Sequence, residues 1–157
     1  MKNRLKGVTL IETMLYIGLF SVIIIIVLNF MLSTQEATQR TDTRLELSRV
    51  SEFVSKHMNS SFNKITSVDG TNSIFNNAQG VLSLVFSDGN KQYKLTDSRI
   101  YFDNTPITPT NVSVTGFHLE PIYKGTDTIV GIKTEITIVS NRDPNIIETI
   151  NLLSLTR

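Results

Sequence analysis

Residues 6–12 of the chain read Lys-Gly-Val-Thr-Leu-Ile-Glu, and from residue 13 to residue 35 no charged side chain follows. Glu12 is thus a lone carboxylate at the head of a hydrophobic stretch. An ionised carboxylate in a membrane helix costs on the order of 2.5–3.5 kcal/mol at mid-bilayer and less near the interface, which marks it as functional. The chemistry open to such a group is pairing, and Glu12 needs a partner. Other chemical candidates are sparse. The two histidines, His57 and His118, lack the acid and nucleophile spacing of a triad and are expected at the edge of a core or on the surface. The absence of cysteine excludes disulfides, thiolate metal sites and thiol nucleophiles. Asp88-Gly89-Asn90 and Asp143-Pro144-Asn145 offer oxygen ligands of the kind calcium takes, but without the dense acidic spacing of a calcium loop, so both are expected to be turns. No glycine-rich phosphate loop occurs. No catalytic residue, metal site or cofactor is expected, and the chain does not read as an enzyme.

The element that carries Glu12 is a helix long enough to cross a bilayer. Residues 14–32 are interrupted only by Gly18, Ser21 and Asn29, which meets the roughly 20 apolar residues that a spanning helix requires. A secretory signal has a shorter core, about 7–15 residues, followed by small residues at a cleavage site. Asn29-Phe30-Met31-Leu32 offers no such site. Lys2, Arg4 and Lys6 precede the run, whereas the other flank mixes Glu36, Arg40, Asp42 and Arg44. The positive-inside rule therefore places the amino terminus in the cytoplasm and the remainder outside.

Helical periodicity continues past the span. Leu47, Val50, Val54, Met58, Ser61 and Ile65 recur at spacings of three and four, with Phe53, His57 and Phe62 beside them. No Pro or Gly falls between Gly18 and Gly70. One helix from about residue 8 to residue 62 is expected, roughly 80 Å long at 1.5 Å per residue. The polar stretch over residues 33–43 is where it is expected to fray.

Beyond residue 65 the period changes from 3.6 to 2. Strands are expected over residues 81–86, 92–95 and 99–102, separated by Asp88-Gly89-Asn90 and closed by Asp103-Asn104. Pro106 and Pro109 mark an irregular connection. Val112, Val114, Phe117 and Leu119 change face across Gly116, which predicts a bulged strand. Residues 130–139 alternate strictly, and residues 146–155 return after Arg142-Asp143-Pro144-Asn145. Short turns between neighbouring strands argue an antiparallel sheet, whose apolar face the stripe from Leu47 to Ile65 covers. The fold class is α+β: a long amino-terminal helix, transmembrane in its first half and amphipathic in its second, packed on a small antiparallel β-sheet head.

Charge narrows the function further. The formal net charge of +1 includes Lys2, Arg4 and Lys6, and the remaining chain is slightly acidic, with 12 basic against 14 acidic residues. From residue 66 onward there are seven basic and nine acidic residues. No nucleic acid partner is expected from such a head. Tyr93, Tyr101, Phe117 and Tyr123 read as packing residues rather than a binding face.

The segment Lys6-Gly7-Val8-Thr9-Leu10-Ile11-Glu12, behind a short basic leader and ahead of a hydrophobic helix, resembles the prepilin-type cleavage and methylation motif of type IV pilins and type II secretion pseudopilins. The likeness covers about 25 residues. It implies removal of a leader, residues 1–7, by a prepilin peptidase that cuts between Gly7 and Val8, with N-methylation of Val8. Residues 8–32 then form the transmembrane half of the helix, residues 33–64 its amphipathic half and residues 65–157 the head. Many family members begin their mature chain with Phe, and this one would begin with Val8. The run Leu15-Tyr16-Ile17-Gly18-Leu19-Phe20 and the short strands are similar to minor pilins and J-type minor pseudopilins.

Cutting after Gly7 removes three positive charges and creates an ammonium on Val8, four residues before Glu12. That ammonium is the partner Glu12 lacks. It belongs either to the same chain, since i and i+4 share a helix face, or to a neighbouring subunit, as the pilin resemblance implies, in which case Glu12 sets the assembly register. The bland alternative is a carboxylate solvated at the cytoplasmic interface. Implied partners are the peptidase, other pilin or pseudopilin subunits, the membrane and an assembly platform protein. The implied location is the inner membrane and then the filament. Two alternatives differ in kind: a competence-type pilin for DNA uptake, and a signal-anchored envelope protein that keeps its leader and has no filament role.

Overall fold

The computed structural model describes residues 9–125 and 128–156. Helix α1 (Leu10–Phe62) runs through 53 residues without a break. The chain divides into two compact units, Met1–Thr41 and Asp42–Arg157.

In the first unit the apolar side chains of α1 are exposed, from Leu10 at 81% to Ile24 at 41%. The helix is long and apolar enough to cross a membrane. Residues 33–43 do not fray. The hydroxyls of Thr34, Thr38 and Thr41 donate to the carbonyls of Phe30, Thr34 and Ala37 at 2.9 Å, so these side chains are satisfied along the helix itself.

The second unit opens with the amphipathic part of α1. Thr43, Leu47, Val50, Val54, Met58, Ser61 and Phe62 are buried, a stripe at helical spacing. Thr43 thus extends the expected stripe and Phe62 joins it as expected, whereas Phe53, expected beside it, is 53% exposed. Ile65 lies beyond the helix end and packs half-buried against the core. The last turn tightens as the Lys64 N–H reaches the Ser61 carbonyl at 2.9 Å, and the Thr66 N–H then joins Val85.

Strands β1 (Ser67–Val68), β2 (Val81–Phe86), β3 (Gly89–Thr96), β4 (Arg99–Phe102) and β5 (Thr105–Pro106) form an antiparallel five-stranded sheet in sequence order. Strands β6 (Val112–Lys124), β7 (Thr128–Ser140) and β8 (Ile147–Leu155) form an antiparallel three-stranded sheet. The head therefore carries two sheets where the sequence suggested one. Alternation shows which side chains share a face, not which strands are neighbours. The sheets meet where the Gly80 N–H donates to the Phe117 carbonyl and the Phe117 N–H to the Ala78 carbonyl, both at 2.8 Å. A Cβ on Gly80 would lie 2.7 Å from that Phe117 oxygen, so the close approach requires glycine.

The turns follow their residues. Asp97 and Ser98 both have positive φ between β3 and β4, as do Asp103 and Asn104 between β4 and β5, which matches two-residue hairpin loops. Pro106 lies in an edge strand opposite Tyr101, not in an irregular connection, because an edge position needs no second ladder bond. The expected bulge is present as a register shift between Val114 and Gly116. One core joins the helix stripe to both sheets, with Val54 and Met58 in the same buried cluster as Leu82, Tyr93, Phe117 and Ile136. Each fully buried apolar side chain contributes about 1.5–3 kcal/mol, so the stripe holds this part of α1 on the head.

Candidate functional site

Glu12 sits in the first turn of α1. There the unpaired N–H groups and the helix dipole favour a negative charge. The Glu12 and Thr13 N–H groups both reach the Thr9 carbonyl, at 3.0 and 3.2 Å, and the Thr13 hydroxyl donates to Leu10 O at 2.7 Å. The carboxylate has a partner that the sequence reading missed: the Tyr16 hydroxyl donates to Oε1 at 3.1 Å. The i, i+4 spacing carried that signal, but a tyrosine at the edge of an apolar run reads first as an interface residue. Among the described residues no bond is made to Oε2. Ser21 donates to Ile17 O at 2.8 Å, whereas the Asn29 amide has no partner among the described residues. Gly7 and Val8, the expected cleavage and methylation residues, lie outside the described residues.

The other polar candidates fall in the head. His57 projects from α1 to place Nδ1 2.7 Å from the Tyr93 hydroxyl, and the Ser61 Oγ lies 2.7 Å from the same oxygen. The His57 ring stands edge-on to Tyr93 and to Phe102, with centroids 5.8 and 5.1 Å away. This polar knot ties the helix to β3 and β4. His57 is the expected core-edge residue; Tyr93 and Phe117 are fully buried packing residues, Tyr101 is half-buried, and Tyr123, expected to pack, is instead 51% exposed. Asp88 pairs with Lys91 at 2.8 Å, and Asp143 accepts from Asn145 at 3.1 Å, so both segments are turns whose oxygens have donors. Among the described residues no group of three or more His, Asp or Glu side chains is placed to hold a metal ion.

Burial, followed by repulsion from Lys64, holds the His57 imidazole below its ordinary pKa of 6.5. The unfolded chain then binds the proton more readily than the folded head. The contribution is fully present above the ordinary value and is lost as pH falls through it toward the lower folded value. We expect the thermal midpoint of the head to fall between about pH 7 and pH 5, and His57→Gln to flatten that slope. A slope unchanged by His57→Gln assigns the acid sensitivity elsewhere.

Compared with family models, with curated proteins and with solved structures, the chain finds no match in any of the three. What characterises it is its architecture, a long apolar amino-terminal helix that leads into a head of antiparallel sheets.

Proposed function

We propose that the chain is a membrane-inserted prepilin that becomes a minor subunit of a type IV pilus or a type II secretion pseudopilus. The observation that carries this reading is Glu12, a carboxylate bonded through one oxygen to Tyr16 at the start of a charge-free apolar stretch, on a helix that continues into the cover of a sheet head. The motif around Gly7 and Val8 supplies the complement. Cleavage between them frees an ammonium able to pair with the Glu12 carboxylate. In the membrane the Tyr16 hydroxyl holds the carboxylate. On assembly the helix exchanges lipid for neighbouring pilin helices, and the charge pair fixes its axial position. Asn29 is a further group able to bond across such a helix contact. The head faces outward and meets neighbouring subunits.

Co-expression with a prepilin peptidase tests the reading. The expected product is shorter by residues 1–7 and begins at Val8, read by intact mass and amino-terminal sequencing. A leader that survives an active peptidase would overturn the proposal and leave a signal-anchored envelope protein.

A further inference from the structure

The head holds a groove of about 660 Å³ where α1 ends. His57, on the helix, and Lys64, just past its end, line it from one side. Phe86 at the end of β2, Asp88 in the turn that follows, Lys91 in β3 and Phe102 at the end of β4 line it from the other. Every one of these residues belongs to the second unit, so the groove is complete within the head.

Its rings stand steeply to one another. Phe86 and Phe102 meet at 70° with centroids 6.2 Å apart, and His57 meets Phe102 at 74° and 5.1 Å. Such rings make a notch for an apolar side chain rather than one flat face on which a sugar could stack. The charges are unequal. Lys91 is engaged by Asp88 at 2.8 Å, lies 5.2 Å from the centre of the Phe86 ring and feels Asp103 as well. Lys64 makes no ion pair among the described residues. After burial, the Lys64 ammonium is the second cause that holds the His57 pKa down, which places its charge close to the ring. The groove thus sets one uncompensated cation beside an apolar notch. A single ammonium matches a single carboxylate, whereas phosphate is better met by the bidentate fork of an arginine, which this groove lacks.

We propose that this groove takes the carboxyl terminus of a peptide, with the terminal carboxylate on Lys64 and the last side chain, aromatic or branched apolar, in the notch between His57, Phe86 and Phe102. In a terminal residue the carboxylate and the side chain leave the same carbon, which is what a lone cation next to an apolar notch calls for. Capture of a chain-terminal carboxylate is a recurring mode of peptide recognition. The bound carboxylate counters the Lys64 charge and so raises the proton affinity of His57. By reciprocity, binding tightens as the pH falls through the His57 titration. The site uses no residue of the apolar segment and stands whether or not residues 1–7 are removed.

N-acetyl-L-phenylalanine and its uncharged amide test the site in the purified full chain in detergent, read by NMR of the two histidine rings. His118, on β6 and outside the groove, is the internal reference. The acid should move the His57 signals and raise the midpoint of their titration while those of His118 stay in place. The amide should bind about tenfold more weakly, since it lacks the charge-assisted bond. Lys64 is exposed, so Lys64→Met leaves the fold intact. That variant should bind the acid no better than the amide and bind the amide as the parent does. Equal binding of acid and amide, acid binding indifferent to Lys64→Met, or a His57 that does not respond to the acid overturns the proposal. So does glucuronate or inorganic phosphate binding as tightly as the acid, the first giving the groove to a sugar acid and the second to a simple anion.

Discussion

Glu12→Ala should enter the membrane at least as well as the parent chain and yet fail to join filaments. Removing the carboxylate relieves an insertion cost of up to about 3 kcal/mol at mid-bilayer, and less at the position Glu12 occupies near the helix start. On the proposed reading, the same change leaves the Val8 ammonium of an assembled subunit without its counter-charge. Truncating one partner of a buried pair costs about 3–5 kcal/mol, because the other charge stays buried and alone. That amounts to two or more orders of magnitude in incorporation. Tyr16→Phe separates the two states. Among the described residues the Tyr16 hydroxyl is the donor to the carboxylate, so its loss should destabilise the free subunit and not the proposed charge pair. Incorporation of Tyr16→Phe should equal or exceed that of the parent. Fractionation of membranes and sheared filaments reads both variants. Normal incorporation of Glu12→Ala would show that the carboxylate does not set assembly.

Glu12 is legible in sequence because a single charge at the border of an apolar run contrasts with everything around it. Tyr16 is not, since its role depends on a rotamer that reaches back one helical turn. The helix end at Phe62 and the bulge near Gly116 follow from local patterns, 3.6 giving way to 2 and a face change at a glycine. The strands β2 and β4 coincide with the expected ranges for the same reason. β1 and β5, with two residues each, are too short for any alternation to mark them. They exist because the Ser67 and Pro106 segments are brought beside β2 and β4 by the rest of the fold. The division into two sheets is likewise a tertiary fact. It rests on Gly80 touching Phe117, residues whose contact no periodicity announces. The helix–head seam shows the intermediate case, with Met58 and Val54 readable as a stripe and the Tyr93 knot readable only once β3 is placed opposite them.

Tyr93 is where the seam can be broken most sharply. It is fully buried in β3, its ring lies 4.5 Å from that of Phe102, and its hydroxyl meets both His57 and Ser61. Burial raises its pKa well above the ordinary value, so the hydroxyl stays neutral and remains a donor throughout the range in which His57 titrates. Tyr93→Ala removes the ring and the hydroxyl together and should cost about 3–5 kcal/mol, as for other large aromatic truncations. Against a domain stability of about 5–15 kcal/mol this is a large fraction. Tyr93→Phe keeps the packing but leaves the buried Ser61 hydroxyl and the His57 Nδ1 without their shared partner, for about 1–2 kcal/mol. Ser61→Ala should cost less again, because the Tyr93 hydroxyl keeps His57. Denaturant midpoints of the three variants should therefore fall in the order Ser61→Ala, Tyr93→Phe, Tyr93→Ala. If Tyr93→Phe cost as much as Tyr93→Ala, the hydroxyl and not the ring would hold the helix to the sheet; if it cost nothing, the polar knot would be incidental to a seam held by apolar packing alone.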